Sequence, residues 1–166
     1  MKKKNQGRYQ MVVSIITLLA FFLPFAWAAA AGEDLKVTLT SRKVITNKKG
    51  KEIFESFDKM QPGDKIEYQA VYKNEGKKKV TRLMGIVPIP VGMEYIQDSV
   101  NPTIVDASVD GKTYARVPLK RTITRADGKE EISDIPVSEY RFLRWSLGDV
   151  PSGKSVAVRA RAMVAR

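Results

Sequence analysis

The chain of 166 residues is 43% hydrophobic and 28% charged, the proportions of one globular domain rather than a disordered or collagenous polymer. It contains no cysteine and no histidine, which excludes a disulfide framework, thiolate nucleophiles, thiolate zinc sites and iron–sulfur clusters. The commonest metal ligand and the usual neutral-pH general base are missing for the same reason, and no cofactor is expected.

Lys2, Lys3, Lys4 and Arg8 precede an apolar stretch over residues 11–23 that only Ser14 and Thr17 interrupt. Ala26-Trp27-Ala28 then supplies small residues where signal peptidase reads. The pattern predicts an export signal over residues 1–28, with cleavage positions extending to Ala31, followed by a single domain over residues 33–166. An uncleaved anchor is the competing reading, because apolarity continues almost to Ala31 and a span needs about 20 residues. Pro24 and the alanine-rich exit favour cleavage, and the expected location is the periplasm or the exterior, with a mature chain that does not span the membrane. Cleavage after Ala28 leaves 138 residues, and loss of four basic residues and no acidic one lowers the formal charge from +11 to +7. Such a length supports one core without disulfides or metal. The residual positive charge favours acidic surfaces: anionic lipid, acidic glycan or an acidic envelope protein.

Leu35, Val37 and Leu39 alternate with Lys36, Thr38 and Thr40, predicting a first strand with one solvated face. Residues 42–46 extend it after a bend, residues 47–51 form a solvated turn, and residues 53–57 form a short strand whose Phe54 leans inward. After the turn at Pro62-Gly63-Asp64, Ile66, Tyr68, Ala70 and Tyr72 share one face of a strand that Asn74-Glu75-Gly76 closes. Lys77, Lys78 and Lys79 lead into a further strand over residues 80–87, so residues 64–87 read as a β-hairpin whose lysines protect a sheet edge. Pro88 and Pro90 end that strand and carry the chain through Gly92 toward Tyr95.

Asp110-Gly111 is a hairpin turn between short strands within residues 103–109 and 113–117, and Asp127-Gly128 is another such turn. Tyr140, Phe142, Leu143 and Trp145 fit a strand or one helical turn, with the strand preferred. Pro151-Ser152-Gly153-Lys154 opens the last strand, where Val156, Val158, Ala160, Ala162 and Val164 turn inward and Arg159 and Arg161 face solvent. No 3.6-residue periodicity of helical length occurs in the mature chain, so the pattern predicts an all-β antiparallel sandwich or barrel with Tyr68 and Trp145 in its core.

Pro62-Gly63-Asp64, the strand through Tyr68, Asn74-Glu75-Gly76, the stretch from Val87 through Pro90 and Gly92 to Tyr95, and the segment from Trp145 through Gly153 occur in an order that resembles the bacterial conserved-repeat domain family of unknown function. The likeness covers about residues 60–166. It implies an immunoglobulin-like antiparallel β-sandwich of the kind found in exported and surface proteins. It also implies structural roles for Gly63, Asp64, Asn74, Gly76, Pro90, Gly92, Trp145, Leu147, Gly148 and Gly153, and it offers no catalytic residue. The chain departs from tandem-module members in holding one copy, and in having Pro88-Ile89-Pro90 where many relatives carry an acidic residue.

Three functional classes follow. The leading one is an exported, non-catalytic binding or scaffolding module of the periplasm or envelope. Lys77, Lys78 and Lys79, then Arg159 and Arg161, are its candidate interaction residues, and an exposed sheet edge accepts an extended partner by strand addition. A second is a carboxylate-dependent hydrolase of an envelope polymer using Asp106 with Asp110 or Asp58 with Asp64, pairs that read first as solvated turn residues. Ser152 has neither a nucleophile elbow nor a histidine, and the acidic loops lack an EF-hand pattern for calcium. The third is a basic β-barrel stacking nucleic-acid bases on Tyr72, Tyr95 and Tyr114, which export argues against. No nucleic-acid partner is expected.

Overall fold

Period-two patterning produces strands throughout the described residues, 34–166 of a computed structural model. The export signal expected over residues 1–28, and the cleavage positions up to Ala31, lie outside the described residues. In chain order the strands are β1 (Leu35–Thr46), β2 (Glu52–Glu55), β3 (Lys65–Asn74), β4 (Val80–Pro88), β5 (Met93–Tyr95), β6 (Asp106–Ser108), β7 (Ala115–Arg116), β8 (Lys120–Thr124), β9 (Glu130–Asp134), β10 (Phe142–Val150) and β11 (Ser155–Val164). One 3-10 turn, Val137–Glu139, precedes β10. Among the described residues no helix is long and apolar enough to cross a membrane.

Every strand pairing is antiparallel. One sheet has the order β2-β1-β3-β11-β5 and a second has the order β4-β10-β6-β7, while β8 and β9 form a separate hairpin. The inward faces of the two larger sheets share one core. β3 contributes Ile66, Tyr68, Ala70 and Tyr72 and β11 contributes Val158, Ala160 and Ala162, against Val87 of β4, Ala107 of β6 and Leu143 and Trp145 of β10. This is the sandwich-like arrangement that alternating strands require, because each sheet removes the apolar face of the other from water. Buried polar tips are paired. The Trp145 Nε1–H donates to the Pro102 carbonyl at 2.9 Å, and the Tyr140 hydroxyl accepts the Leu119 N–H at 2.8 Å.

The hairpin expected over residues 64–87 does not form. β3 pairs with β1 and β11 in one sheet while β4 pairs with β10 in the other, so residues 75–79 cross between sheets. The crossing is held by Asn74, whose side chain is wholly buried. Its Nδ2 donates to the carbonyls of Lys78 and Val150, each at 2.8 Å, and its Oδ1 accepts the Gly76 N–H at 3.0 Å. Its own N–H and C=O bond the Lys154 carbonyl and the Gly153 N–H, both at 2.9 Å. One residue thereby joins the end of β3 to the start of β4 and to the β10–β11 turn. A simple turn signal, read locally, carries no hint of a partner 76 residues away.

Other differences have similar causes. Phe54 faces outward rather than inward: it lies opposite Val44, on the side away from the core, under the Arg42 guanidinium at 4.5 Å. Phe57, three residues on, is the one that packs against the core. Val37 and Leu39 lie on the core-facing side of β1, yet remain 49% and 50% exposed because β1 extends beyond the cover of the second sheet. The region expected as strand or helical turn contains both in sequence, the 3-10 turn and then β10. Strands β8 and β9 flank the Asp127-Gly128 turn, but their polar sequences gave no alternating signal.

Asn74→Asp keeps the shape of the side chain but turns a double donor into a buried anion facing two carbonyl oxygens. We expect a stability loss of about 3 kcal/mol or more in urea unfolding, exceeding that of Asn74→Ala. A wild-type midpoint for Asn74→Asp would remove the amide as the tie between sheets.

Candidate functional site

The chain leaves β3 through a turn shaped by close contacts. Glu75 N–H donates to the Asp34 carbonyl at 2.7 Å, and the Ser152 hydroxyl donates to the Gly76 carbonyl at 2.5 Å. A Cβ at position 76 would sit 2.4 Å from the Asp34 side chain, so glycine is needed there for space. Beyond this anchor Lys77, Lys78 and Lys79 are exposed. Lys79 pairs with Asp149 at 2.7 Å. Lys77 and Lys78 make no ion pair among the described residues. The Lys79 ammonium, with the Arg82 N–H, holds the Asp149 carboxyl below its ordinary range. Arg82, itself exposed and in the left-handed region at φ 52°, adds another cation at this end of β4. Its nearness to the basic run is the sequence signal for it, obscured by its place inside the strand expected over residues 80–87.

The two arginines of β11 diverge in role. Arg161 grips Glu52 with Nη1 and Nη2, each at 2.8 Å, and Glu67 with Nε at 3.2 Å. Arg42 holds the other oxygen of Glu67, also at 3.2 Å. Glu67 is only 4% exposed, although it lies on the sheet face opposite the core. Its burial comes from arginines supplied by β1 and β11, positions that strand alternation alone does not connect. Glu52 raises the affinity of Arg161 for its proton, while Arg161 holds the Glu52 carboxyl below its usual range. Arg159 is exposed and lines a shallow cleft with Asp98, Ser99 and Asn101.

Lys77, Lys78 and Lys79 do not merge with Arg159. Gln69, the register partner of Arg159, and Asn74, the root of the lysine turn, are separated by about 17 Å along β3 at ~3.4 Å per residue. That exceeds a Debye length of about 8 Å at physiological salt, so the two basic regions are electrostatically separate.

The carboxylates read as candidates for hydrolysis are distributed among structural contacts. Asp106 lies between Arg144 at 3.2 Å and Arg116 at 3.5 Å, and Asp58 is exposed. Asp64 bonds Lys43 at 2.8 Å and the Gln61 N–H at 2.9 Å, which lower its pKa. Asp110 accepts the N–H groups of Lys112 and Thr113, each at 2.8 Å, and the Ser108 hydroxyl at 2.9 Å, and its pKa falls to about 2. Among the described residues no group of three or more acidic side chains is placed to hold a metal ion.

Tyr72 and Tyr95 are buried, and burial pushes the Tyr95 phenol up to about 12. Tyr114 is half-buried with the Arg144 guanidinium 4.0 Å over its ring. Neither Tyr72 nor Tyr95 presents a platform for stacking bases.

The residues singled out by family likeness occupy turns, crossings and the core. Gly63 and Asp64 open β3, Pro90 and Gly92 lie on the connection into β5, and Trp145 and Leu147 pack in or against the core. Gly148 has φ 69° where the β10–β4 register shifts, a bulge conformation that favours glycine. Gly153 donates its N–H to Asn74. No family model, curated protein or solved structure matches the chain.

Two outcomes follow. Arg161→Ala strips a cation from buried Glu67 and should cost about 1–3 kcal/mol in chemical unfolding, while Arg159→Ala stays within about 0.5 kcal/mol. Equal effects would contradict the division of roles. Asp110, depressed to about 2, contributes stability that is present above its ordinary value near 4 and lost as pH falls through 2. The unfolding midpoint should therefore fall between pH 4 and about 2, and the fall should be shallower in Asp110→Asn. Identical slopes in the two proteins would rule this out.

Proposed function

We propose that the chain is an exported, non-catalytic binding or scaffolding module of the bacterial periplasm or envelope, built as an immunoglobulin-like sandwich of the conserved-repeat kind, and that it engages an acidic surface. The observation that carries this reading is the lysine turn: Lys77 and Lys78 project, without ion-pair partners among the described residues, from a turn whose root, Asn74, is wholly buried and hydrogen-bonded on all sides. A rigid base lowers the ordering cost of presenting those charges to a ligand. The exposed guanidinium of Arg159 is a second, separate contact.

The carboxylates support a non-catalytic reading. An acid catalyst for glycoside hydrolysis needs a carboxyl with a raised pKa. Asp64 and Asp110 are shifted the other way by donors that stabilise their anions. Two antiparallel sheets around Trp145, with turns at the positions of the family likeness, support the immunoglobulin-like form.

The test uses vesicles of phosphatidylglycerol against phosphatidylcholine, and in parallel an acidic polysaccharide, titrated at several salt concentrations. Each cation near an anionic surface contributes about 1 kcal/mol, so Lys77→Gln with Lys78→Gln should weaken binding to the preferred probe roughly 25-fold and flatten its salt dependence. Arg159→Gln should weaken it less. Binding that is equally tight in the double variant would refute the lysine turn as the ligand surface.

A further inference from the structure

Strand β1 is paired unequally on its two sides. β3 matches it from Leu35 to Val44, whereas β2 matches only Lys43, Val44, Ile45 and Thr46. Two bonds settle which residues point where. The Asp34 carbonyl accepts from Glu75 N–H at 2.7 Å on the β3 side, and Asn47 N–H donates to the Lys51 carbonyl at 2.9 Å on the β2 side. Successive residues of an antiparallel strand direct their N–H and C=O groups to opposite neighbours. Even-numbered residues of β1 therefore face β3, and odd-numbered ones face the outer edge. Leu35, Val37, Leu39 and Ser41 present backbone groups there that have no backbone partner among the described residues.

Leu35 packs against the core, but the next two side chains of this edge are uncovered. Val37 and Leu39 lie opposite the core residues Tyr72 and Ala70, yet each is about half exposed. The second sheet stops short of them at β4, and that edge is closed. The Tyr72 hydroxyl accepts the Ile86 N–H at 2.8 Å and donates to the Ile86 carbonyl at 3.1 Å, occupying the groups an added strand would use. Pro88, two residues on and of the same parity, has no N–H. Among the described residues the β1 edge has no such stopper.

We infer that the open half of β1 pairs with the same half of a second copy of this chain, antiparallel about a two-fold axis at Thr38, joining two five-stranded sheets. The parity of the edge allows registers centred near Thr38 that place odd residues opposite odd residues. The one centred on Thr38 matches Leu35 with Ser41 and Val37 with Leu39, and their reciprocals, so all four edge residues are used. Centring on Val37 or on Leu39 leaves Ser41 or Leu35 outside the free edge. The Thr38 register also sets Val37 of one copy against Leu39 of the other on the uncovered face. Lys36 meets Thr40, and Arg42 meets Asp34, so no like charges stand opposite each other. This self-pairing goes beyond the acidic-surface reading and stands without it.

The absence of cysteine makes a direct test available. In a non-hydrogen-bonded antiparallel pair Cα atoms lie about 4.5 Å apart, within disulfide range, so Thr38→Cys should form a covalent dimer under mild oxidation. Thr40→Cys, on the same face two residues away, should not. Light scattering on the chain as purified from its expressing cells should find a dimer for the native sequence and a monomer for Val37→Lys and Leu39→Lys, whose substituted side chains are already half exposed and whose folding is checked by circular dichroism. Lys77→Gln with Lys78→Gln should leave the dimer intact, separating this inference from the lysine turn. A native monomer up to the solubility limit, or equal cross-linking of Thr38→Cys and Thr40→Cys, would overturn it. Val37→Lys that stays dimeric would overturn it as well.

Discussion

The primary amide of Asn74 bridges the gap between the two sheets, and much of the remaining geometry is set by that bridge. Its two N–H donors fix the Lys78 and Val150 carbonyls, one at the start of β4 and one at the end of β10, while its backbone holds the β10–β11 turn. Both crossings of the chain at this end of the molecule are thus coupled to one fully buried side chain. An aliphatic replacement would leave three polar groups without partners in a site closed to water, which is why an amide, with donors and an acceptor on one planar group, suits the position. The lysine turn inherits its position from this arrangement.

Charge is managed differently on the two sides of the five-stranded sheet. The inward side is apolar, and the outward side has Glu67 clamped between Arg42 and Arg161, with Glu52 completing the coordination of Arg161. A buried carboxylate with two cations is costly to leave half-paired. The cluster therefore ties β1, β2, β3 and β11 together laterally, complementing the core that ties the sheets face to face. It also removes part of the basic composition from the surface: Arg161 is taken up by Glu52 and Glu67, whereas Lys77, Lys78 and Arg159 are among the cations left to solvent.

The strands of the core were legible because their alternation is undisturbed. Ile66, Tyr68, Ala70 and Tyr72 are all buried, as are Val158, Ala160 and Ala162, and the intervening Arg159 is exposed. What local patterning could not convey was partnership. Residues 64–87 look like a hairpin since two strands flank a polar turn, and only the tie to Val150 reveals a crossing. Glu67 resembles any solvent-facing residue of a strand until Arg42 and Arg161 arrive from 25 and 94 positions away. The exposure of Lys77, Lys78 and Lys79 is legible from their run alone, whereas the different surroundings of Arg159 and Arg161 depend on Glu52, which belongs to another strand. Val37 and Leu39 have the right period for a core strand, and period cannot say how far the opposing sheet extends.

That last mismatch follows from lengths. β1 runs for twelve residues and β2 for four, so the outer neighbour of β1 ends long before β1 does. The chain leaves β2 to return to the start of β3, carrying Phe57 against the core on the way. Completing the β1 edge within the same chain would need β2 to run on alongside Ser41, Leu39 and Val37, but pairing ends at Glu55 and the chain turns back toward β3. At β4 the same problem is solved internally, since Tyr72 reaches from the opposite sheet to satisfy Ile86. No aromatic of β1 is placed to do this for its own edge: positions 35, 37, 39 and 41 are aliphatic or serine. A free edge with an apolar, half-exposed flank is the arrangement in which association relieves both unpaired backbone groups and uncovered hydrocarbon at once. The asymmetry between β4 and β1 thus comes from Tyr72, which caps one edge, and from the short β2, which leaves the other open.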